Sequence, residues 1–213
     1  MPSTYVMPMA TIIIPQHEVQ ARTAIYFLFA RLLRGTPSVE LLREIVQRRL
    51  LSNADPHWPN QAEAIAIEYA RLFAVPGEQA VRPYESAYCD TLSIDTSTAC
   101  SPYFKPEPQR CGLSGFLHGP SSLAVREAYR QAGFELDSSA HELPDHLAIE
   151  LEFMGRLLEH GELERARTFF AEHLGRWAVR CLEDVKRNVP SGFYRLAAGT
   201  LATFLQHEQQ LLT

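Results

Sequence analysis

The sequence predicts an all-α fold, a single helical bundle of about eight helices with one long loop near residues 90–120. Three observations predict it. Apolar residues recur at helical spacing through most of the chain, and Pro and Gly punctuate that pattern at intervals of one helix. No segment alternates apolar and polar for long enough to make a persuasive strand. No internal repeat of fixed period is present. A length of 213 residues suits one well-buried domain, and 46% hydrophobic with 21% charged residues is ordinary for a globular protein. The domain reading is a flexible N-terminal tail over residues 1–15 and a single helical domain over 16–213.

The elements follow in order. Residues 16–34 carry Ala24, Ile25, Phe27, Leu28, Leu32 and Leu33, with so few polar positions that this helix is expected to be central and covered on most sides. Gly35 ends it. Thr36 and Pro37 are the expected cap and first residue of a second helix with Leu41, Leu42, Ile45 and Val46. Asn60 and Glu63 have capping-box spacing before a third helix that runs to about Phe73. Val75-Pro76-Gly77 breaks the pattern, and the aromatic segment Pro83 to Tyr88 follows. Residues 90–120 are rich in Ser, Thr, Pro and Gly, the composition of a long irregular loop. Ser121 or Ser122 is the expected cap of the next helix, with Gly133 as its stop. After the helix that begins near Pro144, residues 163–173 form another with Phe169 and Phe170 inward, Gly175 marks a bend, and 176–189 continues to Pro190. Ser191 is placed to cap the last helix.

The stretch from His141 to Met154 is the most informative. Pro144 fits the first turn of a helix, and Asp145 adds negative charge at its partly positive N-terminus. The helix is expected to reach about His160, with Gly161 as a left-handed stop. Leu147, Leu151, Met154 and Leu158 form one stripe, with Phe153 and Leu157 beside it. Glu150 falls inside this apolar arc, and His146 stands one turn before it. A buried carboxylate is costly unless paired, so either these two pair or they face something that binds there.

Several function classes are excluded or weakened. A net charge of −5 argues against a general nucleic-acid binder and is compatible with a basic peptide partner. Cys89, Cys100, Cys111 and Cys181 contain no C-x-x-C pair. No secretory signal pattern opens the chain, and no apolar run approaches the roughly 20 residues of a membrane span. A cytoplasmic protein is expected. Gly112-Leu113-Ser114-Gly115 is one residue short of a nucleophile elbow. His17-Glu18 and His207-Glu208 open like zinc-protease helices, but Ala21 and Leu211 replace the second histidine. His146 and Glu150 lack further metal partners on their helix. Cys89, Cys100 and Cys111, with His118 near, keep open the alternative of a metal- or redox-responsive regulator. Tyr84, Tyr88 and Tyr103 suit either core packing or the wall of a peptide groove.

Glu142-x-Pro144-Asp145-His146, followed by Glu150-Leu151-x-Phe153-Met154, resembles the hinge motif of the TorD/DmsD-type redox-enzyme maturation chaperones, relatives of the NarJ-type chaperones. Tyr69 to Phe73, Pro83 to Tyr88, Val125-x3-Tyr129-x3-Gly133 and His173-Leu174-x2-Trp177 are similar to the family's other signature segments, in order and at the right spacing. The resemblance implies an all-helical, non-enzymatic protein with no cofactor of its own. It implies a partner, the apo catalytic subunit of a molybdoenzyme with its twin-arginine signal peptide, held in the cytoplasm for molybdopterin insertion before export. By matching position, Glu142, Pro144, Asp145 and His146 are the candidate client-binding residues, with Tyr84, Glu85 and Tyr88 beside them and Glu150 as support of the hinge. The resemblance is compatible with a monomer or a helix-swapped dimer. The chain departs from the family in the length of its loop near residues 90–120.

Overall fold

The first helix, α1 (Gln16–Arg34), finds its partner far along the chain, in α6 (Leu147–Glu159), and this is the most extensive helix pairing in the molecule. The computed structural model describes residues 15–93, 112–114, 119–136 and 143–212. The helical period of α1 turns Tyr26, Phe29, Ala30, Leu32 and Leu33 inward. Gly155 lets α6 close on it, because a Cβ there would lie 2.8 Å from the Phe27 ring. Arg156, one residue on, lies over the same ring at 5.1 Å. The expectation that α1 is covered on most sides is corrected: Ala21, Ala24 and Arg31 are exposed. Small apolar positions such as Ala24 cost little in water, so composition overstated the burial.

The helix ends follow the predicted pattern in part. Gly133 and Gly161 terminate α5 (Pro120–Gln131) and α6 with φ of +77° and +73°, as predicted. The first cap is corrected. α2 (Val39–Gln47) is capped by Ser38, whose oxygen accepts from the Leu41 N–H at 3.2 Å, with Pro37 buried just before it. The capping box at Asn60 is not formed. A 3₁₀ turn, Trp58–Gln61, leads directly into α3 (Ala62–Tyr69), which continues through a wide π turn, Ala70–Ala74. At Gly175 the helix is not interrupted. α7 (Leu163–Phe169) passes through a second π turn, Phe170–Leu174, into α8 (Gly175–Asn188), and the Phe170 carbonyl oxygen sits 2.7 Å from where a Gly175 Cβ would be. The last helix, α9 (Phe193–Leu212), packs along α8. Its Tyr194 N–H is taken by Glu68 of α3 at 3.0 Å, where the sequence pointed to Ser191.

A short helix, α4 (Glu85–Cys89), precedes a feature the sequence did not predict. Thr91–Ser93 (β1) pairs antiparallel with Gly112–Ser114 (β2), with Leu92 opposite Leu113. Three residues per strand are too few for an alternation to show. The ladder joins the two ends of the loop-rich excursion. Just outside it, Asp90 accepts from the Ser121 N–H at 3.1 Å and from its hydroxyl at 2.5 Å. Asp90 thus caps α5 from the far side of the loop, and the expected self-caps at Ser121 and Ser122 are replaced.

With α7 and α8 continuous, the nine α-helices of the described residues form eight rods. Their buried side chains make one cluster in which Trp177, Tyr26, Tyr194 and Phe193 are the largest fully buried members. Apart from Pro15, the tail expected over residues 1–15 lies outside the described residues.

Candidate functional site

Two signature segments, far apart in sequence, are stitched together by backbone. The Leu147 N–H donates to the Pro83 carbonyl at 2.8 Å, and the Glu85 N–H donates to the Asp145 carbonyl at 2.9 Å. Tyr84 and His146 form an isolated antiparallel bridge, their rings edge to face at 5.0 Å. This pairing holds His146 extended, which corrects the helix start. Pro144 and Asp145 form a turn, His146 is the N-cap with φ −74° and ψ 135°, and α6 begins at Leu147. The His146 ring supplies the cap, its Nδ1 accepting from the Ala148 N–H at 3.1 Å. The turn itself is anchored by Tyr129 of α5, whose hydroxyl donates to the Pro144 carbonyl at 2.9 Å.

Behind this bridge lies an accumulation of buried acid. Glu85, Asp145 and Glu150 are 1%, 0% and 0% exposed. Asp145 Oδ2 accepts from the Ser86 N–H at 2.9 Å, so the carboxylate caps α4 rather than its own helix. Glu85 Oε2 meets His173 Nδ1 at 3.0 Å, and Glu150 Oε2 accepts from the Trp177 indole N–H at 3.2 Å. Glu85 Oε1, Ser86 Oγ, Asp145 Oδ1 and Glu150 Oε1 are buried with no hydrogen-bond partner among the described residues. Burial and the adjacent Glu85 and Asp145 charges push the Glu150 carboxyl well above the usual carboxylate range, against the pull of the Trp177 N–H. Burial and the same three acids raise the Tyr129 phenol. The arrangement has more acceptors than donors and more negative than positive charge, so its chemistry is to attract protons or cationic groups.

The outer wall is aromatic. Tyr88 is half-buried, stacked beside Trp177 with centroids 5.6 Å apart, and its hydroxyl donates to Asp184 Oδ2 at 2.9 Å. Arg180 lies over the Tyr88 ring and donates to the Tyr88 carbonyl at 3.3 Å. Of the described thiols, burial holds Cys89 above its ordinary pKa and lifts Cys181 to about 12, the reverse of an activated thiolate. Among the described residues no group of three or more His, Cys, Asp and Glu is placed to hold a metal ion.

The structure therefore brings together Pro144, Asp145, His146, Tyr84, Glu85, Tyr88 and Glu150. Pro144, Tyr84 and Tyr88 are half-buried, whereas Asp145, Glu85, His146 and Glu150 are buried. Glu142 lies outside the described residues, as do Cys100, Cys111, His118 and Tyr103. The reading of individual roles missed His173, Trp177, Ser86 and Tyr129. His173 and Trp177 stood in a signature segment, but their partners are 88 and 27 residues away. Asp90 and Asp184 carried no signal of their own.

Hinge and bundle together define the class. An all-α scaffold presents a polar turn braced by buried acid. A sequence model of the family described as nitrate reductase delta subunit matches residues 37–183, and the chain belongs to that family, in which the TorD- and DmsD-type chaperones fall. Among its relatives, Chaperone protein TorD of Aliivibrio fischeri is 26% identical over 208 residues, covering 91% of this chain and 95% of that one. Tat proofreading chaperone DmsD of Salmonella typhi is 27% identical over 171 residues, 79% of each chain. A crystal structure from Archaeoglobus fulgidus, provisionally described as a redox enzyme maturation protein, shares the fold with a TM-score of 0.52 at 20% identity, covering 96% of this chain and 99% of that one. The alternative of a metal- or redox-responsive regulator draws no support from these relatives. Among the described residues no helix is long and apolar enough to cross a membrane.

Proposed function

We propose that the protein is a cytoplasmic, non-enzymatic chaperone that binds the apo catalytic subunit of a molybdoenzyme together with its twin-arginine signal peptide. It holds that client for molybdopterin insertion before export. The client-binding site is the hinge, Glu142, Pro144, Asp145 and His146, with Tyr84, Glu85 and Tyr88 across the bridge, and Glu150 supports it from behind. One observation carries the reading. The two segments that form the bridge bury three carboxylates, each with one oxygen that has no hydrogen-bond partner among the described residues. Guanidinium groups are the cations best matched to carboxylates, through paired charge-assisted hydrogen bonds. Pro144, Tyr84 and Tyr88 are half-buried and so can meet a client, and buried carboxylates behind them act on it through a medium of low dielectric.

Calorimetric titration with a twin-arginine leader peptide tests this. Replacing both arginines by alanine should weaken binding about 30-fold or more, at about 1 to 2 kcal/mol per charged hydrogen bond. Equal affinity for the two peptides would remove arginine recognition. Absence of any saturable complex with an apo-molybdoenzyme would remove the chaperone reading as a whole.

A further inference from the structure

A concavity of about 240 Å³ lies beside residues that support the hinge, between α5, α6 and α7 with the π turn that follows it. Ala128 of α5 and Ala132 at its C-cap line it together with Phe153 and Phe169, and their small side chains leave room there. Its size is below that of a pocket for a drug-sized ligand, roughly 300 Å³ and upward, and suits one or two amino-acid side chains. The floor is continuous with the hinge. Tyr129, which anchors Pro144, packs on Phe153 at 4.5 Å and on Phe169 at 5.8 Å. His173 lines the depression and holds Glu85 through Nδ1.

The charges on the rim are not equivalent. Arg165 is paired with Glu162 at 2.5 Å, and Glu164 with Arg167 at 3.0 Å. His173 is engaged by Glu85. Glu172 is exposed and has no ion-pair partner among the described residues, which leaves one uncommitted negative charge beside an aromatic floor. An apolar side chain adjoining a cationic one is the complement of that surface.

We propose that this groove receives the client's leader just beyond its arginine pair, an apolar side chain entering against Phe153 and Phe169 while a neighbouring basic group faces Glu172. The inference rests on the leader-binding reading and adds a second, separate contact surface to it.

The test uses the full chain and a labelled peptide with two adjacent arginines followed by an apolar stretch. A photoreactive benzoylphenylalanine at exposed Thr168 should crosslink to the peptide's apolar half, and the same group at exposed Thr203 of α9 should not. Filling the depression with the double substitution Ala128→Leu, Ala132→Leu should weaken the peptide about tenfold, the scale of one buried apolar side chain. Glu172→Gln, at an exposed position where folding is not at stake, should weaken it about threefold and flatten its salt dependence. Unchanged affinity in Glu172→Gln together with no crosslink at Thr168, while Asp145→Asn still weakens the peptide, overturns the groove and leaves the hinge reading intact. A crosslink from Thr168 to a second copy of the chain overturns it in favour of self-association. Failure of the wild-type chain to bind the peptide removes both readings.

Discussion

Two buried ionic clusters sit in this bundle, and they are built on opposite plans. The one between α1 and α9 is balanced. Arg22, 4% exposed, donates from Nε and Nη2 to the two oxygens of Glu208 at 2.6 and 2.8 Å, and the Tyr26 hydroxyl adds a third bond at 2.9 Å. Burial works against the Arg22 charge, but the Glu208 carboxylate overrides it and holds the guanidinium charged. Of the polar atoms in this pair, Arg22 Nη1 alone is without a partner among the described residues. The cluster behind the hinge sets three carboxylates against His173 and the neutral Trp177 N–H, and leaves an oxygen of each acid unpartnered among the described residues. Folding alone explains the first cluster, since a bidentate pair joins the first and last helices in one register. It does not explain the second, because a core gains nothing from acceptors that lack donors. Perturbed and under-satisfied acids gather where a protein binds something.

The largest predicted effect breaks the balanced cluster. Glu208→Ala leaves the Arg22 guanidinium buried without its carboxylate and should cost about 3 to 5 kcal/mol, the scale for removing one partner of a buried pair. Urea denaturation followed by tryptophan fluorescence measures it. The double variant Arg22→Met, Glu208→Leu should recover most of that loss, because a packed apolar pair needs neither charge solvated. A double variant as unstable as the single one would show that the network contributes directional bonds that packing cannot replace.

The two clusters also differ in how far the sequence exposes them. The helices themselves were legible, because a period of 3.6 survives in every rod of three turns or more. The stripe of Leu147, Leu151, Met154 and Leu158 is buried as the wheel demanded. The helix starts were not legible, because several caps come from elsewhere in the chain. Asp145 caps Ser86 from 59 residues away, Asp90 caps Ser121 from 31, and Glu68 caps Tyr194 from 126. A rule that looks three residues ahead has no access to them. The hinge residues were found through their motif, and their contacts with Tyr84 and Glu85 follow from one backbone bridge. Glu208, by contrast, read only as half of a failed metal motif, since its partner Arg22 lies 186 residues away. Sequence showed that a carboxylate stood in an apolar arc at Glu150, but only the fold showed that Glu85 and Asp145 stand with it.

A smaller effect sharpens the acidic side. Glu150 has a carboxyl pKa raised in the folded state by burial and by Glu85 and Asp145, with Trp177 opposing and Tyr129 buried beside them. The folded chain then binds a proton more tightly than the unfolded chain. Stability from this group is full below the unfolded carboxyl pKa and falls as pH rises toward the folded value, by at most about 1.4 kcal/mol per pH unit. Glu150→Gln keeps an oxygen for the Trp177 N–H and removes the titration. The variant should therefore gain on the wild type as pH rises from 5 to 8, by about 1 kcal/mol or more across that window. Parallel unfolding midpoints at every pH would mean that the carboxyl titrates as an ordinary acid.

The smallest predicted effect on stability separates folding from binding at Asp145. Its Oδ2 accepts the Ser86 N–H and its Oδ1 has no partner, so Asp145→Asn keeps the cap and puts an N–H₂ donor where the unpartnered oxygen was. The neighbours Glu85 and Glu150 have unpartnered oxygens, so that donor is placed among suitable groups and the charge of Asp145 that repels them is gone. The melting temperature should stay within about 3 °C of wild type, the shift that about 1 kcal/mol produces in a chain of this length. Leader affinity should nevertheless fall, because the substitution removes charge without removing shape. If both quantities hold steady, the negative charge of Asp145 serves neither the fold nor the client, and the hinge recognises its partner through the aromatic face of Tyr84 and Tyr88 instead. If both fall together, Asp145 belongs with Glu208 as a structural acid, and the contrast between the two clusters collapses to one of geometry.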